Sequence, residues 1–259
     1  MVDDMQLFTE VGPHTPTMQA DGLADRIDVS FFVPCLNEEK HVIGTVEKLI
    51  NVCSGLGLSY EILVFDDGST DSTAAKVQAF QTEHPDACVR LFINKTNQGL
   101  ARNFVEGAFQ GRGEYYRLVC GDDVEPEDTL HKILERAGGA DIIIPYHTHV
   151  EGRSLWRSLV SRTYTNLVNL ASGRKLHYYN GLPLYRRRDV MRFHVEATGL
   201  GYQAEFLLRL LQENRSFIQL PLTASDREGS AALNMRNFIS VGYSLFKILM
   251  RRIRTALFK

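Results

Sequence analysis

From residue 28 to residue 145, short apolar runs alternate with stretches of helical spacing. Val29–Val33 is a run of β-formers, and Glu38–Leu56 follows with Val42, Val46, Leu49 and Ile50 on one helical side. Glu61–Phe65 reads as a second strand. A helix opens at Asp71, a good N-cap residue, ahead of Ala74, Ala75 and Val77. Val89–Ile93 and Leu100–Phe109 form the next strand and helix. Tyr115–Cys120 is a fourth strand, the helix Pro126–Ala137 carries its proline in the first turn, and Ile142–Ile144 is a fifth strand. Repeated strand–helix units of this kind predict an α/β fold, a mainly parallel sheet flanked by helices.

The second half is less regular. Leu155–Leu170 and Tyr202–Glu213 have helical spacing, Tyr179–Arg187 reads as a loop leading into a strand, and Phe217–Leu220 reads as a strand stopped by Pro221. Thr223–Leu233 is polar and reads as a mobile loop. From Asn237 onward Phe238, Val241, Leu245, Leu249 and Ile253 recur at helical spacing, and Ile239, Phe246, Met250 and Leu257 widen the stripe.

Charge changes the picture at that end. The 259 residues carry 29 basic and 31 acidic side chains, a net charge of -2, which excludes a global basic field for nucleic acid. After Glu228 there is no acid, while Arg236, Lys247, Arg251, Arg252, Arg254 and Lys259 follow. A basic amphipathic helix suits a membrane interface, each cation near an anionic surface contributing about 1 kcal/mol. Packing on the body of the protein or on a second subunit is the other reading of the same stripe. At the opposite end, residues 1–26 have no basic start and no long apolar run, and read as a loose leader rather than a secretory signal. No apolar run reaches the roughly 18 residues of a spanning helix. Cys35, Cys53, Cys88 and Cys120 form no C-x-x-C pair, which argues against zinc and for a reducing compartment. The expected organisation is a leader over 1–26, a catalytic domain over 27–235, and an amphipathic helix over 236–259 as a membrane-interface anchor.

Three strand ends carry the candidate chemistry. They are Pro34-Cys35-Leu36-Asn37-Glu38-Glu39, Asp66-Asp67-Gly68-Ser69-Thr70-Asp71 and Gly121-Asp122-Asp123-Val124-Glu125. Each alone is an ordinary turn composition. Together, at one edge of a parallel sheet where ligands bind, they place carboxylates whose mutual repulsion a divalent cation or ligand donors would relieve.

In this order, with Asn97-Gln98-Gly99-Leu100-Ala101-Arg102-Asn103 between the second and third, these motifs resemble the family 2 glycosyltransferases of GT-A, Rossmann-like fold. Downstream, Leu155-Trp156-Arg157, Ser161-Arg162, Asn180-Gly181-Leu182-Pro183-Leu184-Tyr185-Arg186-Arg187, Gly201-Tyr202-Gln203-Ala204-Glu205 and Asp226-Arg227-Glu228-Gly229-Ser230 resemble the dolichol-phosphate mannose synthase-like, polyprenyl-phosphate branch. The resemblance spans residues 28–235. It implies an inverting, metal-dependent hexosyltransferase on the cytoplasmic face of a membrane, with a nucleotide-diphosphate sugar as donor and a lipid phosphate as acceptor. Pro34, Leu36, Glu38 and Asp66 would line the base and ribose pocket, with Asp67, Gly99 and Asp122 nearby. Asp123 would hold Mg²⁺ or Mn²⁺, with Glu125 as second ligand. Arg157, Arg162 and Arg187 would take the acceptor phosphate, and Arg186 and Glu205 would join Asp123 as catalytic residues. Three positions depart from the family: Gly121 replaces the first carboxylate of D-x-D, Ala231 stands where relatives often have Lys, and Pro145-Tyr146-His147-Thr148 lacks a common Arg, for which His147 is the substitute.

The acceptor decides whether a base is needed. A sugar hydroxyl must lose a proton, which would recruit Glu205. A phosphate monoester, with its second pKa near about 6, is already ionised and needs arginines for position. A soluble transferase acting on a glycan or small-molecule hydroxyl, and a non-catalytic nucleotide-sugar binding module, are the rival readings.

Overall fold

The computed structural model describes residues 8–11, 26–151, 155–192 and 201–225. They gather into two units: residues 1–137 with 184–192, and residues 138–183 with 193–259. The C-terminal helix expected over 236–259 lies outside the described residues.

The first unit is a sheet with strand order β1-β4-β3-β2-β5-β7 among the described residues. Its strands are β1 (Phe8–Val11), β2 (Val29–Cys35), β3 (Tyr60–Asp66), β4 (Val89–Asn94), β5 (Tyr115–Leu118) and β7 (Leu184–Arg186). Strands β4, β3, β2 and β5 run parallel, while β1 on β4 and β7 on β5 are antiparallel. The helices α1 (Val42–Leu56), α2 (Thr73–Glu83), α3 (Leu100–Gln110), α4 (Glu127–Leu134) and the short α6 (Arg187–Val190) connect them. Strands β2 and β3 are buried almost throughout, the near-continuous apolar pattern of parallel strands covered on both faces. Phe32 packs edge-on against Phe65 and Phe104, at 5.2 Å and 5.9 Å between ring centres, and Phe65 stacks on Phe92 at 4.6 Å.

After the edge strand β1, the chain passes to β2, moves out to β3 and β4, then returns to place β5 on the other side of β2. The order therefore reverses between β2 and β5. A crevice beyond the carboxyl ends of those strands follows from such a reversal.

Several local expectations shift. The leader is not wholly loose: Phe8 to Val11 pair with Asn94 to Leu91 as an edge strand. Helix α1 starts at Val42, four residues later than its spacing suggests, because Glu38–His41 forms a turn closed by Val42 N–H donating to Glu38 O at 3.0 Å. Helix α2 starts at Thr73, with Asp71 Oδ1 accepting from Thr73 N–H at 3.0 Å from just outside. Pro126 precedes α4 with extended backbone rather than occupying its first turn.

The second unit contains β6 (Ile142–Glu151), α5 (Leu155–Ser172), α7 (Gly201–Gln212) and β8 (Phe217–Ser225). Strands β6 and β8 pair in parallel, with an irregularity between His147 and His149. Both strands outrun expectation: β6 continues seven residues past Ile144, and β8 passes through Pro221, whose missing N–H is tolerated on a strand edge. Asn169 of α5 ties down the following turn, its amide bonding to both Leu176 O and Leu176 N–H, at 2.9 Å and 3.0 Å. No helix among the described residues is long and apolar enough to cross a membrane.

Candidate active site

The three acid motifs meet at the carboxyl edge of the first unit's sheet. Cys35 lies opposite Asp66 in the β2–β3 register, and Asp67 N–H donates to Cys35 O at 2.9 Å. On the other side of β2, Gly121 N–H reaches Pro34 O at 3.3 Å. The Cys35 thiol is pushed well above its ordinary value by burial first, then by the negative charges of Asp66 and Glu38, with Asp122 adding to them. Carboxylates from all three motifs thus act on one sulfur.

Two of these acids build loops. Asp67, buried, accepts from Asn94 Nδ2 at 2.7 Å, Gln98 N–H at 2.8 Å and Gly99 N–H at 3.0 Å, and so shapes the approach to α3. Gly99 has φ 86°, left-handed backbone that glycine adopts without Cβ strain. Asp66, also buried, accepts from Ser69 N–H at 2.7 Å. The β2 and β3 loops are stitched together. Asn37 N–H donates to Ser69 Oγ at 2.9 Å, Thr70 N–H to Asn37 Oδ1 at 2.9 Å, Glu38 N–H to Thr73 Oγ1 at 2.9 Å, and Glu39 N–H to Asp71 Oδ2 at 3.1 Å. Leu36 remains 46% exposed beside them, an apolar surface at the sheet edge.

The loop after β5 is held differently. Arg117, in the middle of β5 and 1% exposed, forms a two-pronged ion pair with Glu125 at 2.9 Å and 2.5 Å. Both oxygens of Glu125 are thereby engaged, so a metal would compete with a buried guanidinium for it. Lys48 of α1 donates to Asp123 O at 3.0 Å and Glu125 O at 2.9 Å. The absent carboxylate at Gly121 has a packing cause: a Cβ there would stand 2.5 Å from Cys35 Sγ and 3.1 Å from Pro34 O.

The resemblance assigned four arginines to the reaction, and the structure corrects two. Arg186 pairs with Tyr115 in the β5–β7 register, at the amino end of β5, whereas the acids follow its carboxyl end. Strand β5 alone separates those ends by roughly 10 Å at about 3.3 Å per residue. Arg186 is ion-paired with Glu114 and lies 4.5 Å over the Tyr115 ring. Arg187 donates to Gly113 O at 2.8 Å and Ala108 O at 3.0 Å. Both therefore brace the far edge of the sheet. In the second unit, Arg162 is exposed on α5, and Arg157 stands in the first turn of α5 with its side chain outside the described residues. Glu205 is buried on α7 and bonded to Arg209 at 2.6 Å. His147 is exposed on β6. Ala231 lies outside the described residues.

The profile of the family described as "Glycosyl transferase family 2" matches residues 30–199. The chain belongs to that family. Among curated relatives, an undecaprenyl-phosphate 4-deoxy-4-formamido-L-arabinose transferase of Pectobacterium atrosepticum is 24% identical over 86% of this chain and 67% of its own length. Its namesake in Pseudomonas aeruginosa is 28% identical over 63% of this chain, so the match spans about half, 48%, of that relative. Among solved structures, glucosyl-3-phosphoglycerate synthase of Mycobacterium tuberculosis, in complex with Mn²⁺, uridine diphosphate and glucosyl-3-phosphoglycerate, superposes with TM-score 0.61. It is 16% identical and covers 87% of this chain and 80% of its own, a likeness of fold.

In this family 2 chain, sequence reasoning missed Lys48, Thr45, Gly44 and Arg117. Only Arg117 left a signal, a charge inside the apolar run Tyr115–Leu118 with a carboxylate eight residues on. Among the described residues no three His, Cys, Asp or Glu side chains come together as a ready metal cage. Mg²⁺ and Mn²⁺ do not need one: one or two carboxylates suffice where phosphate oxygens and water complete the shell.

Proposed function

We propose that this chain is an inverting glycosyltransferase that moves a sugar from a nucleotide-diphosphate sugar to a polyprenyl phosphate. The observation that carries the reading is the gathering of Asp66, Asp67, Asp122 and Asp123 at the sheet edge where strand order reverses, in a family 2 chain. The polyprenyl-phosphate acceptor is supported by the names of the relatives.

In this reading Pro34, Leu36, Glu38 and Asp66 line the base and ribose pocket, the exposed Leu36 giving an apolar face for a base. Asp67 keeps the Gly99 turn in shape. Asp123 and Asp122 offer hard oxygen donors to Mg²⁺ or Mn²⁺. Glu125, first expected as second ligand, is reserved here for Arg117. When bound, the ion supplies charge neutralisation for the departing diphosphate, worth on the order of several kcal/mol. The acceptor phosphate needs no base, because its oxygen is already ionised at neutral pH. Arg162 and Arg157 remain to position it, guanidinium suiting phosphate geometry. Direct attack then inverts the anomeric centre. Glu205 becomes a base only under the rival reading with a hydroxyl acceptor.

Residues 27–235 serve as the catalytic region, and residues 236–259 hold the protein on the cytoplasmic face of a membrane. The exposed Leu159, Leu167 and Leu170 of α5, on the same helix as Arg162, support contact with lipid. The deciding experiment is a panel of UDP- and GDP-sugars with a short polyprenyl phosphate and Mn²⁺, products read by mass. A sugar-phosphate-lipid product from one donor is expected. Transfer only to hydroxyl acceptors moves the chain to the rival reading, and donor binding without any product makes it a binding module. Removing residues 237–259 is expected to abolish pelleting with anionic vesicles while leaving transfer to a soluble short-chain acceptor.

A further inference from the structure

Helix α1 carries a receptor for the loop after β5. Lys48 shares the helix surface with Gly44, four residues before it, and with Thr45, three before it. Thr45 Oγ1 accepts from Asp123 N–H at 3.0 Å and donates to Cys120 O at 3.4 Å. Lys48 Nζ donates to the carbonyls of Asp123 and Glu125 and stands 2.7 Å from Asp123 Oδ1. That last approach is close in charge but poorly aligned as a hydrogen bond, so Asp123 Oδ1 counts as an ion-pair partner only. Asp123 has φ 58°, a left-handed backbone that costs a non-glycine residue about 1 to 2 kcal/mol. Thr45 and Lys48 of α1 bond to the backbone on both sides of this residue.

The two oxygens of Asp123 face different surroundings. Oδ1 is sealed from solvent against Lys48, although the side chain as a whole is 33% exposed. The open edge of the carboxylate is therefore Oδ2. Oδ2 lies over Gly44, where a Cβ would come within 2.6 Å of it.

We propose that Lys48 is a positioning residue for Asp123: it fixes Oδ1 and the loop carbonyls so that Oδ2 is presented to the divalent ion, and Gly44 keeps the space beside Oδ2 clear. This rests on the reading of Asp123 as a metal-holding carboxylate. Partners that orient a ligand matter in their own right, their loss typically weakening metal binding roughly 10- to 100-fold.

The test uses the full chain and Mn²⁺, with uridine diphosphate in one arm and guanosine diphosphate in the other and no sugar, and counts free Mn²⁺ by electron paramagnetic resonance. Lys48→Met is expected to weaken Mn²⁺ binding roughly 10- to 100-fold. Lys48→Arg should recover most of that loss, and Gly44→Ala should weaken binding with Lys48 intact. Urea midpoints of all variants are followed alongside, and amide exchange at Asp123 should quicken in Lys48→Met. Should that variant fail to fold, the Arg and Gly44 variants carry the comparison. Unchanged or tighter Mn²⁺ binding in Lys48→Met, with binding lost in Asp123→Asn, overturns the role of Lys48 alone. Binding that survives Asp123→Asn, or that wild type lacks, overturns the metal reading of Asp123 and this inference with it.

Discussion

Two loop systems border the same sheet edge, and different forces hold them. The turns after β2 and β3 are fastened by neutral or singly charged side chains bonding to backbone N–H groups: Asn37, Ser69, Asp71 and Thr73. The loop after β5 also has a neutral tie, Thr45, but two cations are added to it, Lys48 on its carbonyls and Arg117 on Glu125. The first arrangement sets a rigid wall whatever is bound. The second balances charge, so the arrival of a divalent ion and a diphosphate must act on it. A nucleotide pocket needs fixed shape, while the place where charge develops needs fixed dipoles and counter-charges.

The largest break in that comparison is expected at Asp123. Asp123→Asn keeps the side chain's shape and should lower kcat by roughly 10²- to 10³-fold, the usual loss when one electrostatic stabiliser is removed. Steady-state transfer assays measure it, and a loss under threefold would remove Asp123 from the chemistry. Next comes Glu125→Gln, which strands the buried Arg117. It should cost about 3 kcal/mol of stability in metal-free urea unfolding, near the lower end for one-sided loss of a buried pair. An unchanged urea midpoint with reduced Mn²⁺ affinity would instead return Glu125 to the metal. On the neutral side, Asn37→Ala removes the acceptor for Thr70 N–H and leaves Ala at a position with φ 61°. About 1 kcal/mol is expected in the same unfolding assay, independent of Mn²⁺. A Mn²⁺-dependent loss would erase the distinction between the two loops.

The smallest effect sharpens the comparison through pH. Burial pushes the Cys53 and Cys120 thiols from an ordinary value of 9.0 up to about 12, with nearby carboxylates adding to it, and raises Cys35 as well. Folded values above the unfolded one mean that this contribution is intact below pH 9.0 and is lost as pH climbs toward about 12. Thermal melts under reductant should be flat from neutral pH to 9.0 and fall between there and about 12. At neutral pH a thiol reagent should label the exposed Cys88 first, the half-buried Cys120 more slowly, and the buried Cys35 and Cys53 last.

The alternation of apolar runs and helical spacing was enough for the parallel sheet, because β2 and β3 are buried almost throughout and little else fits such runs. The acids at three strand ends were legible for the same reason: strand ends and turn residues announce themselves. The arginines were not. Arg186 and Arg187 sit in a motif that reads as functional, yet the antiparallel register of β7 carries them to the amino end of β5, and no local pattern encodes register across 70 residues.

Residue types and their order along the chain settled the fold class, the strand ends that bear carboxylates and membership of the family. The tertiary structure alone decided which acid faces which cation. Lys48 and Arg117 meet Asp123 and Glu125 through contacts between elements, and Gly121 is glycine because Cys35 occupies the neighbouring space. Local sequence sets backbone preference and periodicity. The partners of a buried charge are fixed only when separate elements pack, and packing depends on the whole chain at once.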